Sequence, residues 1–147
     1  MKSRARSFGK LLGLRALVVC ASLFFWFATA APAAPVLVGH PGFAGQTLDA
    51  DGAKAVLLGK RITLGGARVV IVFARNGDAQ DAVLQALLGM TTSQFQTHWR
   101  RLFMTGGGSA PRIVETEAEA LKLAADTPGA ITFADSARAS PLVILAP

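Results

Sequence analysis

The sequence predicts an α/β domain, a mixed and largely buried sheet flanked by helices. Three observations lead there. Short apolar runs rich in β-branched residues alternate with segments of helical spacing. One of those runs, Val69-Val70-Ile71-Val72-Phe73, is apolar at every position, as expected of a strand covered on both faces. That run then passes through Ala74-Arg75-Asn76-Gly77 into Asp78–Leu88, where Val83, Leu84, Leu87 and Leu88 recur at helical spacing. A strand that feeds a helix N-terminus aims unpaired amides and the positive end of the helix dipole at one point. In α/β proteins that point is where anions are held.

Length and charge set the frame. At 147 residues the chain has room for one domain. The formal net charge of +6 misleads, because Lys2, Arg4, Arg6, Lys10 and Arg15 supply 5 of the 15 basic residues and no acidic residue precedes Asp49. From Ala34 onward there are 10 basic and 9 acidic residues, a net of +1. That balance gives no electrostatic footprint for nucleic acid or an anionic membrane.

Residues 1–33 read as a secretory signal: a basic start, then an apolar run from Ala16 to Ala28. Ala28-Thr29-Ala30 and Ala31-Pro32-Ala33 both place small residues where a signal peptidase reads them. Cleavage is expected after Ala33, with Ala30 as the second candidate. The apolar run falls short of the roughly 20 residues of a membrane span, so no membrane insertion is expected once the signal is removed. Arg4 and Arg6 are not adjacent, which favours general secretion over a twin-arginine route. Val19 is too bulky for the position before a lipobox cysteine. Cleavage would also remove Cys20, the single cysteine, and with it any disulfide or thiol chemistry. The expected mature protein is a periplasmic domain of residues 34–147.

Within that domain the elements follow in order. Pro35–Gly39 reads as a strand ended by His40-Pro41-Gly42. Thr47 or Asp49 can cap a short helix that carries Ala53, Val56 and Leu57 and stops at Gly59. Residues 59–66 form a turn-rich connection to the Val69 strand. Asp78 stands where the next helix wants its N-cap, and Gly89 where that helix ends. Thr91-Thr92-Ser93-Gln94 offers a capping box. It opens a helix with Phe95, Trp99, Leu102 and Phe103 on one face, and Trp99 and Phe103 read as core. Residues 104–111 are loop, and Arg112–Glu115 reads as a short strand or an extended entry. Thr116-Glu117-Ala118-Glu119 is a second capping box, opening a helix through Leu121, Ala124 and Ala125. After Thr127-Pro128-Gly129 come a buried strand at Ala130–Ala134, a turn from Asp135 to Pro141, and a last strand at Leu142–Leu145.

Catalytic and metal chemistry find little footing. His40 and His98 are far apart in sequence and neither stands at ligand spacing from another candidate, so no metal site is expected. Gly107-Gly108-Ser109-Ala110-Pro111 lacks the closing glycine of a nucleophile elbow and follows no strand. No enzyme activity and no cofactor are expected. Gly106-Gly107-Gly108-Ser109 reads as a flexible loop before an anion nest.

Four segments, in order, resemble the phosphate-type periplasmic substrate-binding proteins of ABC transporters, and more closely the short phosphate-binding-like proteins related to them. They are Ala55-Val56-Leu57-Leu58-Gly59-Lys60, Ala82-Val83-Leu84-Gln85-Ala86-Leu87-Leu88-Gly89, Trp99 with Phe103–Gly106, and Thr127-Pro128-Gly129-Ala130-Ile131-Thr132-Phe133. The resemblance covers most of residues 36–146. It implies one lobe of a type II periplasmic-binding-protein fold, where the family clamps ligand between two lobes. It also implies a ligand turn at Arg75, Asn76, Gly77 and Asp78. Large phosphate binders follow their arginine with a Ser-Gly-Thr turn; here the arginine is matched and the hydroxyls are not.

Physics sharpens that departure. A carboxylate about 4 Å from a phosphate costs on the order of 4 kcal/mol at an effective dielectric of 20. Asp78 as N-cap would take the amides an oxyanion needs, Asp81 adds charge, and Arg75 either offsets this or pairs with Asp78. The leading expectation is therefore an exported substrate-binding-like protein that binds a small oxyanion such as phosphate or has a derived non-transport role. The alternative is a ligand-free interaction module that docks on an envelope or membrane partner, such as a transporter or sensor subunit.

Overall fold

A computed structural model describes residues 33–147, and the export signal expected at the N-terminus lies outside them save for Ala33. Seven strands and four α-helices follow one another as β1 (Pro35–Gly39), α1 (Ala50–Leu57), β2 (Thr63–Leu64), β3 (Ala67–Arg68), β4 (Val70–Ala74), α2 (Asp78–Leu88), α3 (Thr92–Met104), β5 (Arg112–Val114), α4 (Glu117–Asp126), β6 (Ala130–Asp135) and β7 (Val143–Ala146). Five strands form one sheet in the order β5-β4-β6-β1-β7. β4 runs parallel to β5 and β6, whereas β1 is antiparallel to β6 and β7. The expected α/β architecture with a mixed sheet is therefore the one observed.

The two faces of the sheet follow from the alternation of side chains along each strand. Leu37, Ile71, Phe73, Ile131 and Phe133 face α1, α2 and α3, and join Val56, Leu57, Val83, Leu84, Phe95 and Trp99 in the larger core. Val36, Val38, Val72, Ala130 and Ala134 face the other way, onto Ala120 and Ala124 of α4. Small residues on both sides of that second layer let α4 lie close to the sheet. Phe95 is the hub of the first layer, with edge-to-face contacts to Phe73 at 5.4 Å, Phe133 at 6.3 Å and Trp99 at 6.4 Å.

Local capping explains where the helices begin. Asp49 caps α1, its side chain accepting from the Gly52 amide at 2.8 Å. The capping box at Thr91 and Gln94 forms in full. The one expected at Thr116 forms by half: Thr116 accepts from the Glu119 amide, but Glu119 reaches past the cap to the Glu115 amide at 3.1 Å. α3 in turn finishes α1, because Trp99 Nε1 donates to the Leu57 carbonyl at 3.0 Å and the His98 ring meets the Leu58 carbonyl at 3.1 Å. Those are two of the carbonyls a helix C-terminus leaves without a partner.

Three expectations need correction. Residues 63–66, expected as part of a turn-rich connection, join Ala67 and Arg68 in a small antiparallel hairpin, β2–β3. Gly65 and Gly66 form its two-residue loop with φ of 56° and 83°, as a tight hairpin of that length requires. Phe103, expected in the core, is 56% exposed. The anchoring of His98 and Trp99 on the end of α1 fixes the rotation of α3 and leaves Phe103 on its outer flank. The third correction, at Asp78, concerns the candidate site.

Candidate functional site

β4 and β5 run parallel, and each leads into a helix at the same end of the sheet: β4 into α2 and β5 into α4. The turn Arg75-Asn76-Gly77 between β4 and α2 is held from beneath by Gln80, which is 1% exposed. The β4–β6 pairing ends at Ile71–Ile131 although β6 continues to Asp135, so Ala74 has no ladder partner on that side. The Gln80 amide takes the place of that partner. Its Oε1 accepts from the Ala74 N–H at 2.9 Å, and its Nε2 donates to the Ala74 carbonyl at 2.9 Å and to Thr92 Oγ1 at 2.9 Å. The Thr92 hydroxyl then donates to Asp81. A buried polar group this fully partnered fixes local geometry, since any unpaired member would be costly.

Asp78 does not cap α2. The N-cap is Gly77, which makes no side-chain cap bond, and Asp78 is the first helical residue with an exposed side chain. One N-terminal amide of α2 instead meets a carboxylate from another element: Glu117 Oε1 accepts from the Gln80 amide at 3.0 Å. Glu117 is the first residue of α4. Gly77 is extended, a backbone any residue adopts, but a β-carbon there would run into the Glu117 carboxyl group. The glycine is thus explained by the space that Glu117 occupies.

Arg75 is also engaged elsewhere than expected. Its Nε donates to Glu115 Oε1 at 2.8 Å, and neither Asp78 nor an open cleft receives it. Both partners are about two-thirds exposed, at 64% and 69%, so water screens the pair. Arg75→Ala is accordingly expected to change unfolding free energy by less than about 1 kcal/mol, read from urea denaturation. Asn76 is exposed on the same turn. The structure therefore brings Arg75, Asn76, Gly77 and Asp78 together at one helix N-terminus, and adds two groups that the sequence reading passed over, Gln80 and Glu117.

The electrostatics of this corner run against an anion. Asp78 and Asp81 lie in the first turn of α2, Glu117 and Glu119 in the first turn of α4, and Glu115 just before it. Arg75 is the single cation of the turn itself. Carboxylates favour helix N-termini for the same reason oxyanions do, and here they are already in place. Among the described residues no group of three or more His, Cys, Asp or Glu is placed to hold a metal ion. His40 serves its own loop, its Nδ1 accepting from the Gly42 amide at 2.9 Å.

The fold itself has a known counterpart. A crystal structure of an ABC-type phosphate transport receptor from Vibrio cholerae superposes with a TM-score of 0.55 over 78% of this chain, at 10% sequence identity. The fold is of the periplasmic-binding-protein kind. This chain spans 47% of that receptor, about half its length. No protein-family model matches the chain. No curated protein matches it significantly in sequence. At 10% identity the likeness concerns architecture, and the site must be judged on its own residues.

Proposed function

We propose that this is an exported periplasmic protein, processed after Ala33 or Ala30, whose binding-protein-like lobe has a derived, non-transport role. In this reading the lobe acts by docking on an envelope or membrane partner, such as a transporter or sensor subunit, and performs no catalysis. The observation that carries the reading is Glu117 on the Gln80 amide, a carboxylate of the chain itself seated where a small oxyanion would sit. The pairing of Arg75 with Glu115 and the acidic first turns of α2 and α4 support it.

A second reading, capture of a small oxyanion such as phosphate, is favoured by Arg75 at the end of β4 and by the architecture shared with a phosphate transport receptor. Isothermal titration of residues 34–147 with phosphate separates the two. The docking reading expects no saturable heat at millimolar phosphate. Binding at about micromolar Kd, near −8 kcal/mol, would replace it with the solute-binding reading.

A further inference from the structure

A groove between α3 and β5 has no part in the turn at Arg75. It holds about 200 Å3, is closed beneath by Phe73 and Trp99, and is walled by Phe103, Pro111 and Ile113. Gln96 and Arg100, both from α3, are the polar side chains of its lining. Gln96, Arg100 and Phe103 stand at i, i+4 and i+7, on one stripe of the helix. At 1.5 Å per residue that stripe is about 10 Å long, with the amide and the guanidinium toward one end and the Phe103 ring at the other. Among the described residues Arg100 belongs to no ion pair.

The lining selects by size, by charge and by the shape of its apolar part. Its volume is below the ~300–1,000 Å3 of drug-sized sites and leaves room for one ring with a short arm. Arg100 is the single charged residue of the lining, so it matches one negative charge and leaves a second without a partner. That favours a monocarboxylate, whose two oxygens fit the planar guanidinium, over a phosphate ester that brings nearly two charges. The Gln96 amide, one turn away, supplies a further donor. No acidic residue lines the groove, and none occurs in residues 82–114. An ammonium group beside Arg100 would therefore meet repulsion with nothing to offset it, which disfavours amines and amino acids. The rings of Phe73, Trp99 and Phe103 favour an aromatic body over a flexible chain, because ring pairs add to burial and a rigid ring loses fewer rotamers on binding.

We propose that the α3–β5 groove binds a small aromatic monocarboxylate, a single ring joined to its carboxyl group by a short arm. The carboxylate pairs with Arg100 and Gln96, and the ring lies against Trp99 between Phe103 and Ile113. The site shares no residue with the α2 turn, so the inference goes beyond the docking reading and does not depend on it.

Trp99 is the single tryptophan of residues 34–147, so its fluorescence reports on the groove directly. The test titrates the mature protein, residues 34–147, with phenylpropionate and reads both Trp99 emission and saturation-transfer NMR of the ligand. Saturable binding with a Kd below about 1 mM is expected for a ligand of this size. Phenylpropionamide, phenylpropylamine and phenylalanine are each expected to bind at least about tenfold more weakly. Arg100→Gln is expected to lose that same factor for the acid and to leave the amide unchanged, whereas Phe103→Ala weakens both. Both substitutions fall on exposed side chains, so circular dichroism is expected to show the folded spectrum. The proposal is overturned by no saturable signal up to about 10 mM, by acid binding that survives Arg100→Gln, by phenylalanine binding as well as the acid, or by octanoate binding more tightly. Self-association lost in Phe103→Ala would assign the face to a second copy, and flotation with anionic vesicles would assign it to lipid; each overturns the ligand. Glu117→Gln and millimolar phosphate are expected to leave phenylpropionate binding unchanged. Micromolar phosphate binding would therefore sink the docking reading alone, and failure of the phenylpropionate titration would sink the groove alone.

Discussion

Phe95→Ala is expected to cost about 3–5 kcal/mol of unfolding free energy, the range for truncating a buried phenylalanine. The side chain is 0% exposed and sits between both strands of the central pair, β4 and β6, and its own helix neighbour Trp99. Its removal leaves a cavity bordered by Phe73, Phe133 and Trp99, three rigid rings that cannot collapse to fill it without leaving their own packing. Edge-to-face pairs add about 0.5–1.5 kcal/mol each beyond the area they bury. Small domains have about 5–15 kcal/mol in total, so this one change removes a large fraction of it or prevents folding. Urea denaturation followed by far-UV circular dichroism gives the number. Phe103→Ala serves as the control, because its side chain is mostly in water and is expected to cost under about 1 kcal/mol. Equal losses at the two positions would mean that α3 is rotated relative to the sheet.

Gln80→Ala is expected to be nearly as damaging, for a different reason. The substitution leaves the Ala74 N–H, the Ala74 carbonyl and the Thr92 hydroxyl without the partner that now serves all three. Each buried polar group left unpaired costs about 1–3 kcal/mol, offset where water can enter. A total of about 3 kcal/mol is expected on that arithmetic. Gln80→Glu is the informative companion. It keeps the acceptor for the Ala74 amide but cannot donate from an ionised carboxylate, and it buries charge beside Asp81. A loss at neutral pH that shrinks in mild acid, where the new carboxyl can be protonated and donate, would identify the missing donor as the cause. An equal loss across that pH range would point to packing instead.

How the chain spells out its fold is visible in these same residues. Local signals were legible: the all-apolar β4, the box at Thr91 and Gln94, the cap at Asp49 and the stop at Gly89 each depend on neighbours within a few positions. The α2 cap was not, because its partner stands 37 residues away from Gln80 in sequence and reaches the site only once β5 lies beside β4. In a linear reading Asp78 is the natural cap. In space, Glu117 is nearer the amide that matters. Gln80 did leave a trace: it falls one helical turn before Leu84 on the buried stripe of α2, a place where a polar residue needs a reason. Phe103 misled in the opposite sense. Its spacing from Phe95 and Trp99 suits a buried face, yet the hydrogen bonds of His98 and Trp99 to α1 decide which flank of α3 turns inward.

The account turns on the carboxylate of Glu117 occupying the N-terminus of α2. Amide-resolved NMR of residues 34–147 tests it most directly, by comparing the Gln80 amide resonance in the native protein, in Glu117→Gln, and in the native protein with added phosphate. The account predicts a Gln80 amide that moves strongly upfield on loss of the Glu117 charge and stays put at millimolar phosphate. A Gln80 amide indifferent to Glu117, with Gly77 to Asp81 shifting saturably on addition of phosphate, would contradict it.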